Sequence, residues 1–215
     1  MVRNCNSRRC TPVNDGVAAR ATQIPRATTL GDSMKLFIEK MPDLQALYVK
    51  EVRRLLSAEE MIAIKEPILA ELAEDPELNQ AIRRNVEDTH AHASRLREIL
   101  KRATGEADPL KCRVIYALFD EVEDLSQDAA HAEVRDAALI AEAQRVEHYQ
   151  IASYDALRQF ARILDRKEDS LVLEQTFREE IVANEDLARI ARRVYSAAPA
   201  HVQTDPATAG LRPTN

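Results

Sequence analysis

Tryptophan is absent from this chain, and glycine is nearly so: Gly16, Gly31, Gly105 and Gly210 are the only four, with one between Asp43 and Tyr195. Aromatic residues make up 4% of the sequence. A sheet domain draws on tight turns and on aromatic or β-branched strands, so these shortages argue against sheet. Cysteine is scarce as well. Cys5, Cys10 and Cys112 form no C-x-x-C pair, and an odd count without a secretory signal argues against a disulfide framework. Three free thiols in a reducing cytoplasm are the expectation. No apolar run approaches the ~20 residues that a membrane span needs. The net charge of -6 gives no support for nucleic-acid binding. A soluble, cytoplasmic protein with neither membrane nor nucleic acid as partner is expected.

What is present is a long stretch rich in Ala, Leu, Glu and Arg, enough for one domain with a real core. Residues 1–33 carry Arg3, Arg8, Arg9, Arg20 and Arg26 against Asp15 and Asp32, without the apolar centre of a signal peptide. They read as a disordered leader, or as an over-extended start before Met34. Residues 196–215, rich in Pro, Ala and Thr, read as a disordered tail, which leaves a helical domain over 34–195.

Within that domain, apolar residues recur at helical spacing. Leu44, Leu47, Tyr48, Leu55, Ile62 and Leu69 predict a first helix over 43–74, kinked near Pro67 and stopped by Glu74-Asp75-Pro76. Leu78, Ile82, Val86, Thr89, Ala93, Leu96 and Leu100 predict a second, ending in a loop at Thr104-Gly105 and Asp108-Pro109. A shorter third carries Val114, Leu118, Val122 and Leu125. The fourth is expected over 135–164, and the fifth after Asp169-Ser170. Two antiparallel pairs of long helices joined through a shorter one define an all-α fold, a four-helix bundle with one additional helix.

Acidic residues interrupt these apolar faces. At about 100° per residue, Glu59 falls within roughly 40° of the stripe through Leu55 and Ile62, and Glu180 lies closer still to that of Leu173, Phe177 and Leu187. Glu147 sits roughly 80° from the centre of its face, an edge position. Counted from the turn at Asp75-Pro76, the height of Glu59 matches the segment EDTHAH on the second helix. Two sets of ligands are open there: Glu87 with His90, in E-x-x-H spacing, or Asp88 with His92. A buried carboxylate is costly unless it is paired or holds a metal. An inward Arg partner would account for Glu59 and Glu180; a dinuclear metal site would account for them together, because bridging carboxylates from several helices plus one or two imidazoles suit iron or manganese.

The run VRDAALIAEAQRVEHYQIASYDALRQFARIL resembles the YciE/YciF family of ferritin-like proteins, and the likeness extends through SAEE, NVEDTH, LKCRVIYALFDEVEDL and EEIVANEDLARIA, over roughly 43–191. This resemblance implies a di-metal bundle, dimeric, with two irons (or manganese) as cofactor, oxygen or peroxide as co-substrate, and a ferroxidase-type role in stress defence. It implies Glu59, the pair Glu87 and His90, Glu147 and Glu180 as ligands. Gln150 and Asn184 stand where the family pattern has acids. Both face inward, and an amide keeps an oxygen donor while dropping its charge. The rivals are manganese-dependent peroxide dismutation and a metal-free helical stress or scaffold protein.

Overall fold

The computed structural model describes residues 41–200, and these form five helices and no strand. The expected leader over 1–33 and the tail beyond 200 lie outside the described residues. Helix α1 spans Leu44–Leu72, α2 Pro76–Thr104, α3 Arg113–Asp128, α4 Ala132–Ile163 and α5 Lys167–Ala197.

Local chemistry sets the boundaries. Asp43 caps α1 by accepting from the Ala46 N–H at 2.8 Å. The helix continues through Pro67 to Leu72. Asp75 then caps α2, accepting from the N–H groups of Glu77 and Leu78 at 3.1 and 3.0 Å, with Pro76 in the first turn, where no N–H is needed. Gly105 ends α2 at φ 84°, its N–H returning to the Lys101 carbonyl at 2.9 Å. A Cβ added there would meet nothing within 4 Å, so Gly105→Ala tests backbone conformation alone. It should lower unfolding free energy by about 1 kcal/mol in urea titration; an unchanged midpoint would show that the turn does not need glycine.

Two boundaries differ from the sequence expectation. Helix α4 begins at Ala132 rather than near Arg135, and α5 begins at Lys167, before Asp169-Ser170 rather than after it. Asp165 takes the left-handed conformation at φ 54°, and the Arg166 N–H bonds the Ala161 carbonyl at 2.8 Å. The chain therefore reverses within a few residues. Asp169 becomes part of the first turn of α5. Its buried carboxylate accepts from Tyr48 Oη at 3.1 Å and Arg102 Nη2 at 2.8 Å, tying together the ends of α1, α2 and α5.

The four long helices form a ring in the order α1, α2, α5, α4, while α3 packs outside on α1 and α4 through Ile115, Phe119 and Val122. Tyr48 meets Asp169 at one end of the bundle, and Asp136 accepts from the N–H groups of Glu74 and Asp75 at the other. Hence α1 runs parallel to α5 and antiparallel to α2 and α4. Each long helix turns a stripe of near seven-residue period inward. On α1 that stripe is Tyr48, Val52, Leu55, Glu59, Ile62, Glu66 and Leu69, all buried. Each fully buried Leu or Ile contributes about 1.5–3 kcal/mol. The apolar residues above and below thereby offset the cost of the acids between them.

Candidate metal centre

Half-way along the bundle the stripes of all four helices become polar at the same height. Glu59 on α1, His92 on α2, Gln150 on α4 and Glu180 on α5 are each at most 1% exposed. Gln150 Nε2 donates to both oxygens of Glu59 at 3.2 Å and to Glu180 Oε1 at 2.9 Å. Tyr154 Oη, one turn along α4, donates to Glu59 Oε1 at 2.8 Å. His92 Nε2 pairs with the half-buried Glu179 at 2.9 Å, and Arg95 holds that carboxylate from outside. His92 Nδ1 lies 3.1 Å from Glu180 Oε1 but off the line of a hydrogen bond, so it has no hydrogen-bonding partner. One donor atom each from Glu59, His92 and Glu180 lies within 4.8 Å of the others.

A second polar layer follows two turns along α1. Asn85 Nδ2 donates to Glu66 Oε1 at 3.0 Å and to Glu147 Oε1 at 3.1 Å. Glu147 also stands carboxyl to carboxyl with Glu180, a contact that needs a proton or a cation to be favourable. Burial is the main cause that raises all four acids: Glu59 above its ordinary range, Glu147 and Glu180 well above it, and Glu66 to about 8. Among the described residues no Lys or Arg nitrogen comes within 4.0 Å of any of the four. The inward-Arg account of Glu59 and Glu180 is thereby removed.

The structure sorts the sequence candidates. Glu59, His92, Glu147, Gln150 and Glu180 converge, and Asn184, half-buried one turn beyond Glu180, leaves its Oδ1 without a partner. Glu87 and His90 are a correction: both are exposed, as is Asp88, because the inward stripe of α2 runs through Asn85, Thr89, His92 and Leu96. The E-x-x-H spacing is instead occupied by Thr89 and His92, with a hydroxyl where a carboxylate would stand. Glu147 is not at an edge. It is 1% exposed because its carboxyl turns into the bundle centre, where it meets Asn85 of α2 and Glu180 of α5. Glu66 and Asn85 were missed. Their signal was seven-residue spacing, Glu66 from Glu59 and Asn85 from His92.

Partnerless buried donors provide the test of fit for a metal. Glu66 Oε2, Glu147 Oε2, Glu180 Oε2, Gln150 Oε1, Asn184 Oδ1 and His92 Nδ1 all lack hydrogen bonds. Buried polar atoms are rarely left so. Hard oxygens with one imidazole are the donors that iron and manganese prefer, so the residues fit such an ion. Four long helices in this order, with carboxylates projecting into the centre, define a ferritin-like helical bundle.

Residues 43–199 match the family described as a domain of unknown function, DUF892, and the chain belongs to that family. Protein YciF of Escherichia coli K12 is 30% identical over 152 residues, which cover 70% of this chain and 92% of YciF. The crystal structure of the E. coli stress protein YciF superposes with a TM-score of 0.70 at 28% identity, covering 74% of this chain and all of that one. YcfI from Rhodopseudomonas palustris superposes with a TM-score of 0.69 at 29% identity, covering 71% of this chain and 97% of its own. Among the described residues no helix is long and apolar enough to cross a membrane.

Proposed function

We propose that this protein takes up Fe(II) among its buried carboxylates and presents it to oxygen or peroxide, a ferroxidase-type reaction in stress defence. One observation carries the reading: Glu59, Glu66, Glu147 and Glu180 share the bundle centre with one imidazole and, among the described residues, no Lys or Arg partner. Two divalent cations would balance four carboxylates. Without them, the acids must hold protons against their ordinary pKa. Glu59, His92 and Glu180 would hold one ion, with Glu147 and the amide oxygens of Gln150 and Asn184 as further donors. Iron supplies the electrons that reduce oxygen or peroxide. The protein's part is to hold charge and orientation: Tyr154 steadies Glu59, and Glu179 with Arg95 steadies His92. The stress role rests on likeness to YciF, described as a stress protein.

A second reading is favoured by the two amides. Gln150 and Asn85 each place one NH₂ between two carboxylates, where a cation would otherwise stand. In that reading the acids are protonated and the bundle is structural. Protein purified without chelator and loaded anaerobically with Fe(II) distinguishes the two. About two irons per chain, followed by oxygen uptake on exposure to air, is the expected result. Retention of Mn(II) with peroxide dismutation would change the metal, and retention of neither ion would establish the metal-free bundle.

A further inference from the structure

We propose that the cavity between α2, α4 and α5 is the path by which a hydrated divalent cation reaches the buried carboxylates, with Asp88 as its capture residue and Arg84 as a brake on entry. This rests on the metal-binding reading above. The cavity holds about 380 Å³ and runs from exposed Asp88 and Arg84 to a floor of Glu66, Asn85 and Glu147. Six waters around a cation occupy roughly 180 Å³ at the liquid's ~30 Å³ each, so an ion with its first hydration shell fits. A second cavity that touches Glu66, beside Glu142, holds about 10 Å³, no more than one water. The α2–α5 side is the wide approach.

The floor is built to receive such an ion. Glu66 and Glu147 are 5% and 1% exposed, and each has an Oε2 without a partner. Between mouth and floor the walls are apolar, including Ala81, Ala143 and Leu187, and offer no competing donor. The charges at the mouth are unequal. Glu179 is held by His92 and Arg95, Arg178 pairs with Glu174 at 3.0 Å, and Asp186 lies 3.9 Å from Arg84 and 3.7 Å from Arg189. Asp88 is the mouth carboxylate without an ion pair among the described residues. Arg84, half-exposed and held by that one long contact, places a positive charge beside the entrance.

Anaerobic mixing of the full chain with Co(II), followed by its visible absorption, separates the route from the site. Asp88→Asn should slow loading about three- to tenfold at low ionic strength, and Arg84→Ala should speed it by a similar factor. Stoichiometry and final spectrum should equal those of the parent. In about 1 M salt, where the Debye length falls to ~3 Å, the rate differences should largely vanish. Parent-like rates in both variants would overturn the route while leaving the metal site standing. An altered final spectrum in Asp88→Asn would overturn it too, because Asp88 would then be a ligand. A parent chain that binds no Co(II) overturns the site reading and the route together.

Discussion

Without metal, a chain carrying Glu59→Gln and Glu180→Gln melts above its parent; with metal, it melts below. The parent holds both acids in a centre that raises their pKa through burial. Metal-free, each acid must hold a proton against its ordinary pKa, and an amide of similar shape needs none, so the double variant should gain roughly 1–4 kcal/mol, the range seen when buried ion pairs give way to neutral groups. At about 2–4 °C per kcal/mol for a domain of this size, the metal-free double variant should gain several degrees. Metal at about a thousand times its Kd stabilises the parent by ~4.1 kcal/mol, which exceeds that gain, and the variant loses most of this stabilisation. Gln150→Glu is the mirror image: it removes the NH₂ that Glu59 and Glu180 share and adds a charge. It should melt lower when metal-free and bind metal more tightly. Calorimetry with and without Mn(II) checks both, and a double variant that keeps the parent's metal-induced shift would sink the site.

Metal-free parent protein also loses stability as pH rises from about 5 to about 8.5. Glu66 is pushed from an ordinary 4.5 to about 8 by burial, and Glu59, Glu147 and Glu180 move the same way for the same reason. Across that window the native state binds more protons than the unfolded one. The stability these acids contribute is therefore complete below 4.5 and lost as pH climbs through the native pKa. For Glu66 alone the loss is on the order of 3–5 kcal/mol. Asp75 has the opposite sign: its hydrogen bond from Arg193 holds it near 2, so its contribution fades only in acid, outside this window. Divalent metal should flatten the slope, since binding requires ionised ligands and releases their protons. Thermal melts across pH, with chelator and with Mn(II), provide the check. A metal-free midpoint that rises toward pH 8.5 would show that the acids are ionised in the native state.

Much of the fold was legible because helix stripes and breakers agree. Asp43, Asp75-Pro76 and Gly105 sit where capping chemistry requires. The start of α5 was not legible, because Asp169 looks like a helix boundary until Tyr48 and Arg102 are seen to close on it. In the site, Glu59 and Glu180 follow from helical phase alone. On α2 a familiar spacing competed with the phase: Glu87 and His90 match E-x-x-H, but the stripe through Asn85, Thr89 and His92 decides which side chains face the core. Burial of Glu147 could not be read from the apolar stripe of α4, because the groups that enclose its carboxyl are polar residues of α2 and α5, Asn85 and Glu180.

The polar residues also determine which helices become neighbours. Leucine and isoleucine stripes would pack almost as well if the crossover through α3 set α4 beside α2 instead of α1. The hydrogen bonds would not survive that exchange: Gln150 and Tyr154 of α4 both reach Glu59 of α1, while His92 of α2 meets Glu179 of α5. Each polar group orphaned in the oppositely wound bundle would cost about 1–3 kcal/mol. The acids and amides that make the centre electrostatically expensive thus carry the information for the handedness of the bundle.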